Sequence, residues 1–211
     1  MLLKIEDKKL SINAKQKGAR IERSIVNWLK DQGVLSARRS EQYCGGNGDA
    51  DVLAPDELPS FHIESKGTKS SIIPKSKLKL WYKQIFDDVK EGQLPVIFNE
   101  ANGEEIVALV PLGTAIAMKL EVLKIETALG FSFTPSAHVH HTRLARIVAE
   151  KLGQPMLYIP CVTAFKVTEN QIFLAIDGPM FVREMLKFEK VKNEEKVRLD
   201  KTVAGSERLQ A

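Results

Sequence analysis

An α/β fold is what this sequence predicts: a central mixed sheet with helices on both faces, extended towards the C-terminus by further helix and strand. Three observations carry that expectation. Two segments, about Gly18 to Asp31 and Pro74 to Val89, repeat apolar residues at helical spacing. Around them lie short apolar runs bounded by Gly, Pro, Asn and Asp, which read as strands. Several of these runs come in close pairs, so neighbouring strands join as hairpins with helices interleaved between them.

Taken in order, the first helix places Ile21, Ile25, Trp28 and Leu29 along one face and is ended by Gly33. A strand follows from about Val34 to Ser40. Tyr43-Cys44-Gly45-Gly46-Asn47-Gly48 is then a glycine-rich loop suited to close approach by nucleic acid. Val52-Leu53 and Phe61-His62-Ile63-Glu64 are the arms of a hairpin turned at Pro55-Asp56-Glu57-Leu58-Pro59. Pro74 opens the second helix, whose buried stripe is Leu78, Trp81, Tyr82, Ile85, Phe86 and Val89. Leu94 to Asn99 and Glu105 to Val110 form a second hairpin around Asn102-Gly103.

Beyond Pro111, Ala115 to Leu129 reads as one helix, apolar over so wide an arc that it must be buried, in its own domain or in a dimer seam. His138-Val139-His140-His141 has no Cys or acidic partner at ligand spacing, so it reads as a loop before a helix and not as a zinc site. That helix runs from about Thr142 to Leu152. Met156 to Ile159 and Ile172 to Ile176 are strands of a small extra sheet or of the first one extended. From Lys187 onward the chain is charge-rich, and its end reads as disordered.

The chemistry concentrates in the first hairpin. A turn centred between Glu57 and Leu58 sets Asp51 opposite Glu64 and Asp49 opposite Lys66, and opposed residues share a face with Cβ atoms roughly 5 Å apart. Asp49 with Asp51, and Glu64 with Lys66, also share a face because they are two apart. Carboxylates that close repel, so the arrangement calls for a cation. Mg²⁺ fits, because it is commonly held by one or two carboxylates plus waters and substrate phosphate. A lysine beside it can orient or deprotonate the attacking water. Glu22 borders the apolar face of the first helix and so points partly towards whatever that helix packs on.

A helix with Glu22, a strand, Gly48-Asp49-Ala50-Asp51-Val52, Ile63-Glu64-Ser65-Lys66-Gly67 and a lysine-rich helix, in that order, resemble the PD-(D/E)XK nuclease superfamily, and within it the Holliday junction resolvases of archaea and phages. The resemblance implies a restriction-endonuclease-like α/β/α core over residues 12–112. It also implies an extension over 113–186 for dimerisation or DNA binding, with 187–211 as a partly disordered charged tail. It gives the catalytic roles to Glu22, Asp51, Glu64 and Lys66. Asp51, Glu64 and the backbone carbonyl of Ser65 would hold Mg²⁺ or Mn²⁺, joined by Glu22. Ala50 stands where the family often has Pro, which makes Asp49 a rival to Asp51. Gln84 or Lys83 would be the polar helix residue near the metal. Symmetric junctions are cut by two active sites, so a homodimer in the cytoplasm, the host's if phage-encoded, acting in DNA recombination and repair is also implied.

Charge agrees with a DNA partner. The net charge is +4 over 211 residues. From Lys66 to Lys83 there are six lysines and no acid, a basic patch able to release counterions from phosphates. Lys69, Lys75, Lys79 and Lys83 on this side, and Lys17, Arg20, Arg38 and Arg39 around the first helix and strand, are the candidate backbone contacts. No apolar run approaches a membrane span, the N-terminus lacks the apolar core of a signal peptide, and two cysteines suggest no disulfide framework. The glycine loop lacks the Lys-Ser/Thr ending of a nucleotide-binding loop. Three functions compete: a junction resolvase, a restriction- or repair-type nuclease acting on linear or single-stranded DNA, and a DNA-binding module without catalysis. Replacing Lys66 by Ala is expected to abolish cleavage and leave folding and DNA binding largely intact.

Overall fold

The computed structural model describes residues 2–40, 49–69, 72–102, 104–120, 122–124, 137–138, 159–166 and 171–207. In chain order these form α1 (Leu2–Asp31), β1 (Arg38–Arg39), β2 (Val52–Leu53), β3 (Phe61–Thr68), β4 (Ile72–Ile73), α2 (Lys75–Asp88), β5 (Leu94–Ala101) and β6 (Val107–Pro111). There follow α3 (Leu112–Ala117), β7 (Val122–Lys124), β8 (Ala137–His138), β9 (Ile159–Lys166), β10 (Ile172–Asp177) and the last helix, α4 (Gly178–Glu207).

Eight strands make one mixed sheet in the order β1-β2-β3-β5-β6-β10-β9-β7, and β4 pairs separately with β8. β5 runs parallel to β3, and β6 and β10 continue antiparallel beyond it. The central strands are apolar on both sides because both sides are covered. Val96, Phe98, Ala108, Val110, Leu174 and Ile176 pack with Ile21, Ile25 and Leu29 of α1 and Phe181, Val182 and Met185 of α4. Their strand neighbours Ile97, Val107, Leu109, Phe173 and Ala175 pack with Leu78, Trp81 and Ile85 of α2. The result is three layers, α1 with α4, sheet, and α2. Each fully buried aliphatic side chain contributes about 1.5–3 kcal/mol.

α1 ends as the sequence predicts. Gly33 takes φ +93°, and the Val34 N–H reaches back to the Leu29 carbonyl at 3.0 Å, closing a Schellman turn. The first strand is shorter than expected, because residues 34–37 are held in turns by the Glu57 carboxylate, which accepts from the Leu35 and Ser36 N–H groups. The hairpin register is as expected, with Val52 opposite Ile63. At Gly67 a Cβ would meet Ile21 at 2.7 Å. Glycine there lets α1 seat directly on β3, which brings neighbouring Glu22 to the sheet edge.

Four expectations change. Phe86 is 43% exposed and stacks on Tyr82, ring centroids 4.6 Å apart. At 100° per residue it lies roughly 80° round from Leu78, off the buried stripe. Ala115 to Leu129 is not one helix: α3 stops at Ala117, Lys119 adopts φ +55°, the Leu120 N–H bonds the Ala115 carbonyl, and 122–124 is strand. The strands near 159 and 172 extend the main sheet, so it runs through the expected boundary at 112/113. Residue 187 is no boundary either, since 178–207 is one helix. Buried Glu189 accepts from the Ser60 N–H (2.7 Å) and hydroxyl (3.1 Å), anchoring that helix beside the start of β3. The glycine loop at 43–48, most of the histidine cluster and the helix expected at 142–152 lie outside the described residues, as does 208–211. Among the described residues no helix is long and apolar enough to cross a membrane.

Candidate active site

Strand alternation puts His62, Glu64 and Lys66 on the face of β3 that looks towards α2. Glu64 is 1% exposed, yet it is surrounded by donors. The Lys66 ammonium donates to its Oε2 at 2.8 Å, the Gln84 amide on α2 donates to the same oxygen at 3.3 Å, and His62 Nε2 stands 3.4 Å from Oε1. Burial alone pushes the Glu64 carboxyl up, but His62 and the Lys66 charge outweigh it and hold it below the usual carboxylate range.

Asp51 occupies a bend at the point where β2 leaves β3. Its Oδ2 accepts from the Ser65 N–H at 2.9 Å and from the Ser65 hydroxyl at 3.1 Å, taking the place of a ladder carbonyl. The same oxygen lies 3.9 Å from Lys66 Nζ. Burial and then the Glu64 charge push the Asp51 carboxyl up to about 6, against the pull of Lys66 and the Ser65 N–H; Glu22 adds to the rise. A buried and a half-buried carboxylate thus share one ammonium, and the second is ionised at a cost that a divalent cation would remove.

The two aspartates stand in different surroundings. Asp49 is exposed, and Lys90 Nζ lies 2.8 Å from its Oδ1; that hydrogen bond and charge hold its carboxyl low. Glu22 is half-buried, and its Oε2 accepts from Arg39 Nε at 2.8 Å and from Arg39 Nη2. Arg39 is therefore a partner of the third acid more than a free phosphate contact. Gln84 belongs to the site, whereas Lys83 turns to solvent and pairs with Asp87 at 2.6 Å. Lys17, Arg20, Arg38, Lys69, Lys75 and Lys79 are all exposed. Arg38 and Lys90 flank a cleft of about 210 Å³ that borders His62. His62 is the residue that sequence reasoning passed over, although its place two before Glu64 puts it on the same face.

The residues present fit a hard cation. Among the described residues no group of three or more His, Cys, Asp or Glu side chains converges as a metal cage. Asp51 and Glu64, with the Ser65 carbonyl on the edge from which its N–H bonds Asp51, instead offer a few oxygens and leave room for waters and phosphate oxygens. That is the ligation Mg²⁺ usually accepts. No family model matches the chain, and neither a curated protein nor a solved structure does.

Proposed function

We propose that this chain is a Mg²⁺- or Mn²⁺-dependent DNA endonuclease that hydrolyses phosphodiester bonds. One observation carries the reading: the buried carboxylate of Glu64 and the half-buried one of Asp51 lie 2.8 Å and 3.9 Å from the same lysine, with Asp51 raised by desolvation and by the charge of Glu64. A structural ion pair needs one acid per base; a metal-assisted hydrolase needs this surplus.

In the mechanism, Asp51 and Glu64 would hold the ion, with Glu22 supporting it from α1. Bound there, such an ion would supply a water of lowered pKa and polarised phosphoryl oxygens. Lys66, released from Glu64, orients the attacking water and offsets charge growing on the phosphate. Gln84 holds Glu64 Oε2 from the opposite helix. The exposed lysines of α2 and Lys69 grip the backbone on one side, Arg38 on another, in contacts that position without reading sequence.

Within this class the element order favours a PD-(D/E)XK enzyme, and a Holliday junction resolvase acting as a homodimer is the member it most resembles. Incubating the protein with Mg²⁺ and labelled four-way junction, flap, linear duplex and single strand tests both levels. Paired symmetric nicks on the junction alone support the resolvase. Cutting of linear or single-stranded DNA moves the chain to a restriction- or repair-type nuclease. DNA binding without cleavage in either metal leaves a non-catalytic module.

A further inference from the structure

We propose that His62 is a positioning residue for Glu64, donating from Nε2 to Oε1 so that Oε2 is the oxygen turned to the cation. The inference rests on the nuclease reading above. The two oxygens of Glu64 stand in different surroundings. Oε2 faces Lys66 and, through it, Asp51, while Oε1 faces the imidazole. His62 is 1% exposed, and its Nε2 has no hydrogen-bond partner among the described residues, the approach to Oε1 at 3.4 Å being too poorly aligned to count as one.

A buried ring nitrogen ordinarily finds a partner, because leaving it without one costs free energy. Here Glu64 Oε1 is an acceptor 3.4 Å away. When a cation takes Oε2, the Lys66 and Gln84 contacts to that oxygen weaken, and the carboxylate can tilt about its last torsion. A donor on Oε1 opposes the tilt, and a small rotation of Glu64 turns the 3.4 Å approach into a bond. Catalytic contacts often tighten in this way on loading. Donors behind a ligating carboxylate matter to affinity nearly as much as the ligand itself.

The test is Mg²⁺ titration calorimetry without DNA on the full chain, for wild type, His62→Phe, His62→Leu and His62→Gln, with folding checked by thermal melts in EDTA. Loss of the donor in the Phe or Leu variant, whichever folds, weakens Mg²⁺ binding about tenfold, and Gln restores most of it. In cleavage assays the defect appears as a higher Mg²⁺ requirement with kcat at saturating Mg²⁺ little changed. Wild-type affinity in a donor-less variant, or equal loss in His62→Gln, overturns the role of His62 alone. A wild type that neither binds Mg²⁺ nor cuts any DNA overturns the nuclease reading and this inference with it.

Discussion

The ammonium of Lys66 sits 2.8 Å from Oε2 of Glu64, a carboxylate almost sealed from solvent. Removing one partner of such a pair leaves an uncompensated buried charge, which costs about 3–5 kcal/mol. Lys66→Ala is therefore expected to destabilise the fold measurably as well as to abolish cleavage. Urea denaturation in EDTA will show a lower midpoint, partly restored by Mg²⁺. An unchanged midpoint would mean that water reaches Glu64.

Asp51→Asn has the opposite sign. The Asp51 carboxyl is raised by burial and by Glu64, so its ionised form strains the metal-free fold. The amide removes that charge and still accepts from Ser65. The variant melts at a higher temperature than wild type in EDTA near neutral pH, while cleavage falls by orders of magnitude. Melting curves and a cleavage assay on the same preparation check both halves.

The pH dependence follows from the two carboxyls. Asp51 titrates at about 6 in the folded state against 3.8 for the free side chain, so the folded state binds this proton more tightly. Its contribution is fully present at low pH and is lost as pH rises through about 6. Glu64 is held below 4.5, so its contribution is present above that value and is lost as pH falls through the lowered one. A cation binds the ionised form of Asp51, so the melting-temperature gain from Mg²⁺ is larger at about pH 7.5 than at about pH 5.5. Equal gains at both would place the ion elsewhere.

Glu189 accepts from both the N–H and the hydroxyl of Ser60, 129 positions away. Glu189→Ala leaves that buried N–H without its partner, at a cost of about 1–3 kcal/mol. A drop of several degrees in melting temperature checks it. Truncation after Leu186 should do more, because it removes the anchor entirely.

What could be read from the sequence was local. Turn chemistry set the register of the first hairpin, and Val52 does face Ile63. Helical periodicity found Leu78, Trp81 and Ile85 and ended α1 at Gly33. The different surroundings of Asp49 and Asp51 were not legible, because Asp49 is paired with Lys90, 41 positions away. The partner of Glu22 is likewise set by the path of β1. The apolar stretch after Pro111 satisfied helical spacing, yet a single backbone reversal at Lys119 divides it into helix and strand. A charge-rich tail looked unable to pack, yet buried Glu189 bonds Ser60 and Phe188 packs edge-on against Phe61, so its first turns are held in place.

The most direct measurement is Mg²⁺-dependent cleavage of branched and linear DNA by wild type and by Asp51→Asn, both shown to be folded. A metal-dependent nuclease cuts at least one of these substrates with Mg²⁺ or Mn²⁺, stops in EDTA, and loses the activity in Asp51→Asn. Cleavage that survives in Asp51→Asn, or a folded wild type that cuts none of them in either metal, would contradict it.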